Sequence, residues 1–167
     1  HGVIFSSLAR EYLLDCQKRC LKTKVEQQWE VVDQPQLELL TVLFLAKNIV
    51  PVPETGELIG LRDLKEAHYF TGPHKLPLDD LLARFGHDPA GWQRAAAALG
   101  GEQVSLAEMA CRFYPLPRVP LYFLLWLGDE DFPPQFNLLF DRNIEHYFSA
   151  SGIWLLVHYV TLMLLRL

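Results

Sequence analysis

Pro115-Leu-Pro-Arg-Val-Pro120-Leu-Tyr-Phe-Leu-Leu-Trp126-Leu-Gly-Asp-Glu-Asp131-Phe-Pro-Pro134 contains a run, Leu121 to Leu127, that is apolar at every position. A strand buried on both faces has this pattern, so the run reads as the central strand of a sheet. Three carboxylates follow at its end, and Pro133 and Pro134 stiffen the exit. Ala107 to Tyr114 reads as a neighbouring strand, and Asn137 to Phe140 as a shorter one.

Towards the N-terminus, Val3 to Val25 also reads as strands. Glu11–Asp15 and Cys20–Val25 flank the polar turn Cys16-Gln-Lys-Arg19. In the second arm Cys20, Lys22 and Lys24 alternate with Leu21, Thr23 and Val25, as in a hairpin with one wet face. A helix stays open as the rival, because nothing in the turn is Gly or Pro. Asp33 is placed to cap a helix over Gln36–Lys47, with Pro35 in its first turn. Leu37, Leu40, Thr41, Phe44 and Leu45 share one side, and Pro51 and Pro53 stop the helix.

Glu54 to Pro77 reads as irregular apart from a short helical turn within Leu61–His68. Leu78–Phe85 is a second helix. Asp88 caps a third that begins at Pro89, runs to Leu99 and ends at Gly100-Gly101. Ile144–Phe148 reads as a helical turn, and Ser151 as the cap of an apolar last helix. Strands, helices, strands and a helix in this order predict an α+β fold. A mainly antiparallel sheet would pack against several helices in a single domain, residues 1–167.

The chain has 167 residues, half of them hydrophobic, and a formal charge of −5. This composition is that of a globular protein rather than a disordered one. The negative balance argues against a nucleic-acid partner, which requires clustered cations. The local group Lys18, Arg19, Lys22 and Lys24 reads as a solvated strand face. Three cysteines give no disulfide framework and suit a reducing cytoplasm. Gly152–Leu165 is shorter than the roughly 20 apolar residues of a spanning helix and carries His158, so it reads as a buried or interface helix. No membrane association is expected. A helix so apolar must be covered, and pairing with a second copy or a partner through Trp154, Leu155, Tyr159, Leu162 and Leu165 is one way.

Thr71-Gly-Pro-His-Lys-Leu-Pro77, Gly100-Gly101, Leu116-Pro-Arg-Val-Pro120, Trp126-x-Gly-Asp-Glu-Asp-Phe-Pro133 and Leu139-Phe-Asp141 occur in this order. Together they resemble the family called domain of unknown function 3786, over most of the chain. The resemblance implies an origin among anaerobic bacteria and archaea. It also implies kinship with members fused to a four-cysteine iron–sulfur domain and loosely linked with corrinoid proteins. It supplies no catalytic residue. This chain has no run of four close cysteines, so no iron–sulfur role carries over. It begins at His1 rather than Met, which suggests a fragment or an added remnant, and its N-terminal part is short for the family.

Asp129, Glu130, Asp131 and Asp141 form the leading constellation. Neighbouring carboxylates can hold a hard cation or divide acid and base roles. The same residues can simply solvate a strand end, with Asp141 capping the helical turn after it. No metal-ligand spacing is matched, and no metal or cofactor is assigned. His74 and Lys75, in a loop bounded by Gly72 and Pro77, suit an anion or ligand contact, or else a backbone hydrogen bond. His68, His87, His146 and His158 show no ligand spacing. Cys16 and Cys20 make at most half a zinc site, and Cys111 reads as a buried apolar residue. Tyr114, Tyr122, Phe123, Trp126, Phe132 and Phe136 either line a flat pocket for a ring system or belong to the core. Arg118 and Trp126 complete a ligand-binding set of Asp129, Glu130, Asp131, Asp141, His74, Lys75, Trp126 and Arg118. Neither a phosphate-binding glycine loop nor a Gly-x-Ser-x-Gly elbow is present.

The expected function is a binding or accessory module that presents the acidic turn and the His74 loop to a small ligand or protein partner. The alternative is a metal- or corrinoid/tetrapyrrole-dependent enzyme or cofactor-handling protein.

Overall fold

A computed structural model describes residues 2–47 and 50–167, so His1 lies outside the described residues. The first four strands, β1 (Gly2–Ser7), β2 (Arg10–Asp15), β3 (Cys20–Val25) and β4 (Gln28–Val31), form an antiparallel meander in chain order. The hairpin reading of Glu11–Val25 holds, with Asp15 opposite Cys20 and Tyr12 opposite Thr23. Its turn closes without Gly or Pro because Asp15 does the work of a turn residue. Asp15 Oδ1 accepts the Gln17 and Lys18 N–H groups at 3.1 and 2.9 Å, and Oδ2 meets Lys22 Nζ at 2.7 Å. The lysine and these N–H groups hold the Asp15 carboxyl down at about 2.

The other two hairpins use the two-residue loops Leu8-Ala9 and Glu26-Gln27, and all four residues adopt positive φ. Such turns usually carry Asn or Gly, for which these angles cost little. Here that signal is missing, which is why β4 is not legible in the sequence. Leu8 is held in its turn from outside. It is 3% exposed, and its N–H donates to the Tyr114 carbonyl at 3.1 Å, tying the first sheet to the second.

Helix α1 (Pro35–Lys47) follows, then strand β5 (Leu58–Gly60) and single 3₁₀ turns at Leu61–Asp63, Ala67–Tyr69 and Gly72–His74. Helices α2 (Leu78–Phe85) and α3 (Pro89–Ala98) lead into β6 (Glu102–Val104), β7 (Met109–Leu116), β8 (Val119–Trp126) and β9 (Gln135–Asp141). Helices α4 (Ile144–Tyr147) and α5 (Ala150–Leu165) complete the chain. The second sheet is antiparallel, in the order β5-β9-β8-β7-β6. The class is α+β as expected, but the strands divide into two sheets. The stretch read as irregular contributes an edge strand, β5. Two cap assignments also change. Ser149, not Ser151, stands at the N-cap position of α5, and Asn143, not Asp141, at that of α4.

β8 is the middle strand, as its composition requires. Leu121, Phe123 and Leu125 are fully buried on one face, while Tyr122 and Leu124 join Ala110 in a small cluster on the other. The inner face of the sheet meets α2 and α3, and Trp92 of α3 is fully buried against Phe85, Phe113 and Phe136. Most of the apolar surface of α5 is covered by its own chain: Leu156, Val157, Val160 and Leu164 have no exposure, and α1 and α2 pack on it.

The glycine pair after α3 divides two jobs. Gly100 turns the chain at φ +69, a left-handed helix exit. Gly101 has ordinary dihedrals, but a Cβ there would lie 2.7 Å from the Phe113 ring and 2.9 Å from the Ala96 carbonyl. Gly101→Ala should therefore cost about 1–3 kcal/mol by overpacking, read as a lowered urea midpoint with an unchanged slope.

Candidate functional site

The structure distributes the sequence-derived candidates over several separate places. Asp129, Glu130 and Asp131 are exposed at the end of β8. Asp129 Oδ1 accepts the Asp131 and Phe132 N–H groups at 2.9 and 2.8 Å, and the Asp129 N–H donates to the Phe132 carbonyl. This is a self-contained Asx turn. It borders a shallow open basin of about 520 Å³ with His87 at its side. Trp126 is 42% exposed at the strand end, and Phe132 is 68% exposed.

Asp141 lies at the other end of β9, across a seven-residue strand that spans about 20 Å. It is fully buried. Its carboxylate accepts the Thr55, Gly56 and Asn143 N–H groups and the Thr55 hydroxyl, at 2.7–3.0 Å. Burial alone would raise its pKa; the donors around it outweigh that and hold it below the ordinary aspartate value. Asn143 continues the clamp by donating through Nδ2 to the Arg118 carbonyl at 2.8 Å and the Pro53 carbonyl at 3.3 Å. Arg118 itself sits in the β7–β8 turn at φ +63. Asp141 thus fastens the Pro53–Gly56 loop to the sheet, and nothing of it is presented to a ligand.

His74 is half-buried at the N-terminal side of α2. Its ring stacks on Tyr69 with centroids 4.2 Å apart and meets the edge of Trp154 at 6.2 Å. Trp154 in turn lies 3.8 Å from His158. Lys75 pairs with Asp79 on the surface. Helix α2, about 12 Å long, separates this loop from the acidic turn, which touches the residues after the helix end through Pro134 and Gly86. One small ligand cannot contact both. The aromatic group is also dispersed: Phe123 and Phe136 are core, while Tyr114 and Tyr122 lie on the outer sheet face. Among the described residues, no three His, Cys, Asp or Glu side chains converge as a metal site. Cys16, Cys20 and Cys111 are free thiols, and burial pushes the Cys111 thiol up.

A different hollow is better formed. It opens between the C-terminal half of α1, the 3₁₀ connection after β5 and the α4–α5 corner, with a volume of about 530 Å³. Leu64, Phe70, Phe148 and Ile153 are buried and make its floor, and Leu43 of α1 forms an apolar wall. Lys47, Lys65, His146 and Ser149 are exposed around it. Its two carboxylates are engaged within the fold. Glu66 Oε2 accepts the Ala150 N–H at 3.0 Å, capping α5, and Glu145 Oε1 accepts the Lys65 N–H at 2.7 Å. Tyr147 fixes the corner by exchanging two hydrogen bonds with the Val52 backbone, at 2.7 and 2.9 Å. Its residues come from segments far apart in the chain, so the sequence offers no local sign of the hollow. The nearest hint is the apolar stripe Leu39, Val42, Leu43 and Ala46 at helical spacing, which α1 leaves exposed.

The model of the family described as domain of unknown function (DUF3786) matches residues 1–163. The chain belongs to this family. In this DUF3786 chain Leu116–Pro120 forms the β7–β8 hairpin, Gly128–Pro133 holds the Asx turn, and Leu139–Asp141 is the strand end with the buried clamp. No curated protein and no solved structure matches the chain. Among the described residues, no helix is long and apolar enough to cross a membrane.

Proposed function

We propose that this chain is a binding or accessory module, and that it takes a small ligand in the hollow between α1 and the α4–α5 corner. The observation that carries the reading is the combination of an apolar floor with a volume of about 530 Å³ and a few polar groups at the edge. Small-molecule sites have this size and character. The acidic turn and Lys75 are then surface features available to a protein partner, because the basin beside the turn is shallow and its best-placed carboxylate is committed to its own backbone.

Ala46 lines the hollow from an exposed position, so a large side chain there can fill it without disturbing the core. The neutral dye N-phenyl-1-naphthylamine should bind the native chain saturably with a rise in fluorescence. Ala46→Trp should abolish that rise while leaving the far-ultraviolet circular dichroism unchanged. Absence of saturable uptake, or uptake indifferent to Ala46→Trp, overturns the reading.

A further inference from the structure

We infer that the ligand of this hollow is an amphipathic anion: an apolar body carrying one negatively charged head, free in solution. The inference rests on the binding reading above and adds the charge of the ligand. The floor residues Leu64, Phe70, Phe148 and Ile153 offer nothing to hydrogen-bond, so they select an apolar body. The charge balance at the edge selects the head. Glu66 and Glu145 both face backbone N–H groups at hydrogen-bond distance. Glu145 is also 3.9 Å from Arg142 Nη1. Lys47 has no carboxylate partner among the described residues. Lys65 reaches Glu145 only at 4.0 Å, with a side chain 79% exposed, an ion pair worth little in water. Two ammonium groups therefore stand at the edge of an apolar hollow, while each carboxylate there is turned to a backbone N–H through one of its oxygens. A ligand head of negative charge would find two ammonium donors at the edge, Lys47 without a carboxylate partner among the described residues and Lys65 only loosely held by Glu145. Inorganic phosphate would leave the floor uncovered and is not the class expected.

The test compares two dyes with closely related aromatic bodies. Anilinonaphthalene sulfonate carries the charge; N-phenyl-1-naphthylamine does not. At low salt the anionic dye should bind about tenfold more tightly, equivalent to about 1.4 kcal/mol. The preference should shrink as salt screens the lysines. The double variant Lys47→Ala/Lys65→Ala alters only exposed side chains. It should remove the preference and leave the neutral dye within about twofold of its native affinity. Decanoate should displace the anionic dye, and inorganic phosphate should not. Equal affinities for the two dyes, or a preference surviving the double variant, overturn the anionic assignment while the hollow stands. Failure of both dyes overturns the binding reading itself. A lipid headgroup would present the same chemistry from a membrane, so vesicles of phosphatidylglycerol are the second arm. Retention on them that Ala46→Trp abolishes overturns the free-ligand assignment.

Discussion

Replacing Asp141 with alanine should cost about 3–5 kcal/mol of folding stability, because it removes a buried carboxylate that four donors share. Four groups lose their acceptor at once: the Thr55, Gly56 and Asn143 N–H groups and the Thr55 hydroxyl. The loop before β5 is fastened to the sheet through these contacts, so its edge strand, which pairs Leu58 with Asp141 itself, should loosen with it. Against a total of about 5–15 kcal/mol, the loss is a large share. Urea unfolding followed by tryptophan fluorescence measures it; a loss below about 1 kcal/mol would show that water replaces the carboxylate. Asp141→Asn preserves shape but turns an amide N–H₂ towards donors, and should cost about 2–3 kcal/mol.

The pH dependence carries a definite sign. The folded pKa of Asp141 lies below the ordinary aspartate value of 3.8. Its ionised form therefore stabilises the fold fully above pH 3.8, and that contribution is lost as pH falls through the lower, folded value. The native chain should hold its advantage over Asp141→Asn at neutral pH and lose it in the acid range below 3.8. An advantage that grows with acid would contradict the clamp.

Trp92→Ala should be of similar size, about 3–5 kcal/mol, through the cavity it opens. Trp92 has no exposure, and its ring lies 5.1 Å from Phe136, 5.7 Å from Phe85 and 6.1 Å from Phe113 between centroids. These contacts join α2, α3, β7 and β9, so the loss should fall on the whole fold. Trp92→Phe separates volume from polarity. The indole N–H has no partner among the described residues. Removing it sheds a buried unpaired donor while keeping most of the ring contact, so this variant should lose less than about 1.5 kcal/mol. Comparable unfolding midpoints for the two variants would contradict the packing account.

Some elements could be read because their cause is local. The Asp88-Pro89 pair starts α3, Asp88 Oδ1 accepting the Gly91 N–H at 2.8 Å, and the cap type alone announces it. The unbroken apolar run of β8 declares a strand buried on both faces. Helices α1 and α2 follow from spacing and flanking prolines. Other elements depend on distant partners. Strand β5 is three residues long and exists because β9 offers Phe140 and its neighbours as pairing sites. Strand β4 depends on a turn, Glu26-Gln27, whose positive φ values no residue type there favours. Asp141 followed a recognisable motif, yet its role reversed from presented carboxylate to buried clamp, because Thr55 and Gly56 arrive from more than eighty residues away.

By itself the chain determined its α+β class, its central strand, its main helices and its DUF3786 membership, because caps, periodicity and motif order are properties of neighbouring residues. Only the tertiary structure decided that the strands form two sheets, that the acidic turn and the His74 loop stand a helix apart, and that the hollow lies beside α1. Those facts depend on which distant surfaces meet. Burial and hydrogen-bond satisfaction choose among such meetings, and both act through space rather than along the sequence.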